Sequence, residues 1–227
     1  MRLPNETKTY RVKRNRLLAA EKALRRKVEQ VAALRRKLPV GGAVPEDYVF
    51  EGESGTVRLS ELFRNGDTLI VYSYMYGPKM ARPCPMCTSM LDGLDGSAPH
   101  ISQRTNLAVI AKSPIARILE FARARGWRNL QLLSSADNNY NRDYHGEELD
   151  GDQRPALNVF ARRKGVVRHF WASELMFAKA EPGQYPRHVD ILWPLWNALD
   201  LIPEGRGKDW FPKLEYASPS DIRRSAT

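Results

Sequence analysis

The sequence predicts an α/β fold, a mixed central sheet flanked by helices, preceded by a basic amphipathic helix. Three observations carry that prediction. Short apolar, β-branched stretches at 68–75, 107–110 and 130–133 alternate with helical segments, the pattern of parallel strand–helix–strand units. Two further strands, 156–161 and 166–171, flank Arg163-Lys164-Gly165 and read as an antiparallel hairpin. The chain's only two cysteines stand as Cys84-Pro85-Met86-Cys87, between the first of these strands and its helix. Parallel units first, an antiparallel hairpin next and a helix last is the thioredoxin plan, so a thioredoxin-like fold is expected over residues 46–212.

Residues 1–38 form a separate arm. They hold 13 Lys and Arg against 3 Asp and Glu, while the rest of the chain holds 23 of each, so the net charge of +10 belongs to the arm. From Arg11 to Leu38 there is no Gly or Pro, and Leu17, Leu24, Val31 and Leu38 recur every seven residues with Ala20 and Val28 on the same stripe. The expectation is a helix whose apolar stripe is buried against protein, as in a homodimer. Glu21 and Glu29 interrupt the basic face and no aromatic ring lies between Arg11 and Leu38 to stack on bases, which disfavours nucleic acid. An acid-poor amphipathic N-terminus also resembles a transit peptide, but this one lacks serine and runs directly into the domain. No apolar run approaches the roughly 20 residues that span a bilayer, and no signal-peptide core is visible. A cytoplasmic protein without membrane contact is expected.

Residues 39–45, with Gly41-Gly42, read as a linker. A hairpin is expected from 47–50 and 56–59 about the turn 52–55, then a helical turn at 60–63. The helix after the cysteines is expected over 85–94, ending near Gly93 and Gly96, with one more turn at 99–104. Ser113 and Pro114 suit the N-cap and first position of a helix with Ile115, Ile118, Leu119 and Ala122 on its apolar face, closed by Gly126. The last helix is expected over 189–199, kinked or restarted at Pro194, and 213–227 is a tail.

The chemistry is expected at the cysteines. Pro85 fits a first helical position, which puts Cys84 at the mouth of the helix and Cys87 one turn in. A helix N-terminus offers unpaired N–H donors and roughly half a positive charge, which favours thiolate over thiol. Arg82 and Lys79 are expected to act in the same sense. Such settings bring a cysteine pKa from about 8.5 to about 3.5–7.5, and the thiolate is the species that attacks disulfides. Cys84 is therefore the expected nucleophile and Cys87 the resolving thiol. Two cysteines alone cannot complete a structural zinc site, and His100 and His145 lack the paired spacing of such sites. A zinc shared across a dimer is the arrangement left open; the reading takes no metal and no cofactor.

Pro155 opens the strand after the long connection 134–154, where the thioredoxin plan places a cis-proline against the cysteine pair. The connection is then expected to pass near the site, with Tyr140, Asn141, Asp143, Tyr144 and His145 lining or supporting a substrate groove. The competing use of its Asn and Asp residues is to close turns.

The chain carries Arg35-Arg36-Lys37-Leu38-Pro39, the Tyr48-x-Phe50-x-Gly52 and Leu59-x-x-Leu62-Phe63 stretches and Cys84-Pro85-x-Cys87. Ser134-Ser135, Tyr140-Asn141-x-Asp143 and Leu199-Asp200-x-x-Pro203-x-Gly205-Arg206 follow in that order. In this set the sequence resembles the DUF899 family of thioredoxin-like predicted dithiol-disulfide oxidoreductases. The resemblance implies a thioredoxin fold and thiol redox activity toward a protein or small-molecule disulfide. One departure is a first core strand ending Tyr72-Ser73-Tyr74, where a histidine-containing stretch is expected. Two other functions compete. A peroxiredoxin-like peroxidase wants Thr or Ser three residues before its cysteine, and Ala81 stands there. A non-catalytic adaptor would leave the cysteines idle.

Overall fold

The computed structural model describes residues 2–179, 182, 192–207 and 210–216. The chain divides into two compact units, residues 1–40 and 41–227.

The first unit is one helix, α1 (Lys8–Arg36), starting a turn earlier than the apolar stripe indicated. Thr7 sets the start, its side chain accepting the Tyr10 N–H at 3.1 Å. Arg35 and Arg36 sit in the last turn, where the helix dipole favours cations. No residue of α1 is buried, and Leu17, Leu24 and Val28 are each more than half exposed.

The second unit is built on β1 (Val49–Gly52), β2 (Gly55–Arg58), β3 (Thr68–Tyr74), α2 (Pro85–Ile101), β4 (Asn106–Ala111), α3 (Ile115–Arg125), β5 (Leu132–Ser134), α4 (Tyr140–Asp143), β6 (Ala156–Arg163), β7 (Val166–Ala172) and α5 (Pro194–Leu199). Seven strands make one sheet in the order β2-β1-β5-β4-β3-β6-β7. β3, β4 and β5 are parallel, and every other pairing is antiparallel. This mixed sheet with its strand–helix–strand crossovers and closing hairpin is a thioredoxin-like fold. Period-two alternation on β3 sends Leu69 and Val71 into one core and Tyr72 and Tyr74 into the other. The core on the Tyr72 side takes in Cys87, Met90, Leu91 and Leu94 of α2, Ile118 and Ala122 of α3, and Trp196 of α5. The opposite core collects Tyr48, Phe50, Ile110, Tyr140 and Phe160.

Several boundaries differ from the sequence reading, among them the start of α3, whose N-cap is Pro114 rather than Ser113. α2 runs unbroken through Gly93, Gly96 and Pro99 to Ile101. A Cβ at Gly93 would meet Pro194 at 3.2 Å, so this glycine admits the close approach of α5 rather than ending a helix. Pro99 removes the N–H that would bond the Asp95 carbonyl; Asn129 Nδ2 donates to that carbonyl instead, at 3.1 Å. Residues 41–44 lie along β7 rather than loose: Gly41 N–H donates to the His169 carbonyl at 2.7 Å, and Val44 N–H to that of Val167 at 3.1 Å. Of the expected helix 189–199, residues 189–191 lie outside the described residues. Pro194 begins α5, which agrees with a restart, one of the two expected outcomes, and suits a residue without an N–H. The tail is partly held: Arg125 Nη1 donates to the Leu214 carbonyl at 2.8 Å and its guanidinium lies 5.0 Å from the Tyr216 ring.

The side of α2 away from the cysteines is braced by Asp95, 9% exposed. Its Oδ1 accepts the backbone N–H groups of Arg128, Asn129 and Leu130 at 3.0, 2.8 and 3.1 Å. Replacing Asp95 with Ala strands three donors at once, which predicts a loss of about 3 kcal/mol in urea unfolding, since hydrogen bonds to charged groups are worth about 1.5–3 kcal/mol each. Asp95→Asn, which keeps an acceptor oxygen, should recover part of that loss. An Asp95→Ala protein as stable as the parent would contradict this role.

Candidate active site

β3 delivers the chain to the C-terminal edge of the parallel strands, where it must reverse into α2. Tyr76 N–H donates to the Tyr74 carbonyl at 2.8 Å, Met80 N–H to Gly77 at 3.1 Å, and Cys84 N–H back to Met75 at 3.0 Å, closing the loop. Cys84 is the N-cap of α2, extended at φ −61° and ψ 122°, and Pro85 is its first helical residue. Thr88 secures that turn: its N–H and its Oγ1 both bond the Cys84 carbonyl, at 3.0 and 2.9 Å, and Oγ1 meets the Tyr74 hydroxyl at 2.7 Å.

The two sulfurs are unequal. Cys84 is partly exposed and Cys87 is 3% exposed. The Cys87 thiol donates to the Cys84 sulfur, and this chiefly brings the Cys84 pKa down to about 6. Partial burial opposes the shift, while the N–H groups of Cys87 and Met86 reinforce it. For Cys87 the order is reversed. Burial pushes its thiol well up, and the bond it gives to Cys84 and the charge there push further. Tyr72 and the Met75 backbone act against that rise.

Arg82 and Lys79 are not the source of the Cys84 shift. The Arg82 guanidinium pairs with Glu215, and Lys79 Nζ donates to the Asp150 carbonyl at 3.1 Å. Hydrogen bonds at the helix mouth do what those charges were expected to do. Pro85 acts as expected of a first helical residue.

Arg117, at the start of α3, was missed by the sequence reading. It donates to the carbonyls of Gly77 (3.4 Å), Met80 and Ala81 (2.9 Å), and its guanidinium lies 4.4 Å from the Tyr76 ring centroid. It clamps the loop that presents Cys84. Gln153 packs from the other side, so close that a Cβ at Gly77 would fall 2.7 Å from its Cγ. A lone arginine on an amphipathic helix gives no sequence signal of this kind; only the fold brings it to the loop.

The expectation of a cis bond at Pro155 is corrected: the Arg154–Pro155 bond is trans. Pro155 is buried and leads straight into β6, whose first residue pairs with Ser73 of β3. Arg154 N–H already bonds the Gly146 carbonyl at 2.9 Å, so the chain enters the strand extended and needs no reversal there.

The groove role is corrected for Tyr140 and Tyr144, which pack in the opposite core. Tyr140 is 0% exposed, and its ring stands 5.5 Å from that of Tyr48 and 5.1 Å from that of Tyr144. Tyr144 lies stacked 5.6 Å from His169. Asp143 accepts the Tyr48 hydroxyl at 2.5 Å, and His145, at φ +56°, lies 5.9 Å from Phe177. Asn141 is also fully buried, accepting from Ser135 Oγ at 2.7 Å and donating to Gln153 Oε1 at 3.5 Å. Through Gln153 it supports the cysteine loop indirectly. Among the described residues no three His, Cys, Asp or Glu side chains gather as a metal site, and no helix is long and apolar enough to cross a membrane.

The sequence matches, over residues 2–218, the family described as "Bacterial protein of unknown function (DUF899)". The chain belongs to the DUF899 family. No match was found among curated proteins. Among solved structures, this DUF899 protein is similar to the peroxidoxin BcpB of Mycobacterium tuberculosis, at 16% identity and a TM-score of 0.46, over 71% of this chain and 98% of that one. Peroxiredoxin Q of Xanthomonas campestris is similar at 14% identity and 0.47, over 70% and 97%. The exposed lipoprotein thioredoxin Etrx1 of Streptococcus pneumoniae is similar at 16% and 0.41, over 65% and 98%. At such identities the fold assignment rests on the strand order and pairing given above.

The unequal pair makes a direct prediction. Alkylation of Cys84, followed by peptide mass, should rise with pH through a midpoint of about 6, because the attacking thiolate forms above its pKa. Cys87→Ala removes the donated thiol and should move that midpoint up toward the ordinary cysteine value of about 8.5. A midpoint already near the ordinary value in the parent protein would overturn the assignment.

Proposed function

We propose that this protein is a thiol–disulfide oxidoreductase in which Cys84 attacks and Cys87 resolves. The observation that carries the reading is the division of labour within one helical turn. The more accessible sulfur is the more acidic, and its buried neighbour is held protonated against it. In the reducing direction the Cys84 thiolate attacks one sulfur of a substrate disulfide, releasing the other as a thiolate that takes up a proton. Cys87 then attacks Cys84 Sγ in the mixed disulfide, expelling the second substrate thiol and leaving the Cys84–Cys87 disulfide. Two electrons pass to the substrate, and the reverse sequence oxidises a dithiol.

The substrate class is a disulfide or dithiol on a peptide or small molecule. A peroxide as electrophile finds less support, because Ala81 offers no hydroxyl three residues before Cys84. An adaptor role finds less still, since it gives no reason for an acidic thiol at a helix mouth.

The test is intermediate trapping. With a disulfide substrate, Cys87→Ser should accumulate a mixed disulfide at Cys84, seen as a mass gain on that peptide, and Cys84→Ser should accumulate none. Trapping by Cys84→Ser would reverse the roles. Absence of any mixed disulfide in both variants, with both folded, would favour the adaptor.

A further inference from the structure

We infer that Arg82 is a specificity-determining residue of the dithiol site, binding a carboxylate on the incoming disulfide, and that Glu215 of the C-terminal segment occupies it as a built-in competitor. The inference rests on the thiol–disulfide reading above and adds to it a substrate class: disulfides that carry a carboxylate near the sulfur under attack.

Arg82 stands two residues before Cys84, so their Cα atoms lie within about 7 Å of one another. Its guanidinium pairs with Glu215, and the two side chains are 58% and 71% exposed. The other cations around the loop are committed to the fold. Arg117 holds the carbonyls of Gly77, Met80 and Ala81, and Lys79 holds that of Asp150. Lys112, just beyond β4, donates to the Asn138 carbonyl at 2.5 Å and lies 3.6 Å from Glu147. Drawing any of these to a ligand would strand a backbone acceptor. Arg82 differs, because its partner is an exposed carboxylate that water can solvate. A guanidinium is planar and permanently charged, with paired donors that match a carboxylate. Exposed pairs of this kind are weak, so a second carboxylate can displace the first.

Glu215 is nevertheless delivered by the fold. Both of its neighbours are anchored by Arg125 of α3, whose Nη1 donates to the Leu214 carbonyl at 2.8 Å and whose guanidinium lies 5.0 Å from the Tyr216 ring. Arg125 is fixed in turn by Asp92 of α2, which accepts from its Nε at 2.9 Å. Residues 214–216 therefore run from α3 to the cysteine loop and lay one carboxylate on Arg82. Pairing with Arg82 chiefly holds the Glu215 carboxyl below its ordinary value, so it stays ionised wherever Cys84 is a thiolate. The acidity of Cys84 comes from hydrogen bonds within the first turn of α2, which leaves the Arg82 charge to act on the substrate.

The experiment uses the full-length protein at neutral pH with two chromogenic aromatic disulfides. Dithiobis-nitrobenzoate carries a carboxylate on each ring and dithiodipyridine carries none. With either, the Cys84 thiolate bonds to one sulfur and the other leaves as a coloured thiol product, so the first phase reads the attack. The quantity followed is the ratio of the two first-phase rates, in which any change at Cys84 itself cancels. Arg82→Gln should lower that ratio roughly two- to fivefold, the range of an exposed ion pair. Arg82→Lys, which keeps the charge without the paired donors, should fall between. Glu215→Gln should raise the ratio by a similar factor in the parent and leave it unchanged in the Arg82→Gln protein, since the two act through one contact. A ratio unmoved by either single substitution would overturn the inference. So would an equal rise from Glu215→Gln in the Arg82→Gln protein, which would mark long-range charge rather than competition. Failure of the underlying reading looks different: the parent would release no coloured product from either disulfide, or Cys84→Ser would release as much.

Discussion

One backbone hydrogen bond, from the Cys84 N–H to the Met75 carbonyl at 3.0 Å, closes the loop between β3 and α2, and the dithiol depends on that closure. It pins the N-cap residue of α2 to the end of a central strand. The Met75 backbone also acts to lower the Cys87 thiol against the effect of its burial. With the loop closed, the first N–H groups of α2, which an isolated helix would leave to water, converge on Cys84. Arg117 holds the outer side of the loop through three of its carbonyls. The electrostatic work of making a thiolate is thus done by folding, before any substrate arrives.

Wherever a local signal decides the conformation, the sequence was a good guide. Pro85 marks the start of α2, and Gly126, at φ +84°, ends α3. Lys164 and Gly165, at φ +51° and +78°, form the left-handed turn that joins β6 to β7. Two of the misreadings share a cause, which is a partner distant in sequence. Pro99 does not break α2 because Asn129 satisfies the carbonyl it would orphan. The polar, turn-rich segment 134–154 reads as a surface loop, yet Tyr140 and Tyr144 carry it into the aromatic core of Tyr48, Phe50 and Phe160. At the candidate site the cysteines were legible from spacing alone. Their support, Arg117, was hidden because an arginine on a helix looks like an ordinary surface residue.

The fold anchors α2 away from its reactive end. Asp92 accepts from Trp127 Nε1 at 2.8 Å and from Arg125 Nε at 2.9 Å, one turn before Asp95 takes its three backbone donors. These acidic side chains bind the segment after α3, leaving the N-terminal turn to carry the cysteines. The domain bearing that turn is neutral overall, since the chain's excess positive charge lies in residues 1–38. The acidity of Cys84 is accordingly a matter of local donors, and added salt should weaken it little, because short hydrogen bonds are screened far less than exposed charges.

The central claim is that Cys84 and Cys87 form a reversible two-electron couple. The most direct measurement equilibrates the protein in thiol–disulfide buffers of graded potential and reads the fraction of Cys84–Cys87 disulfide by mass after quenching. The account predicts one transition, fitted by a two-electron couple and retraced on reduction, with a midpoint in the range of roughly −270 to −120 mV spanned by known dithiol oxidoreductases. Cysteines that stay free across the whole series, or that oxidise only between chains or irreversibly, would contradict it.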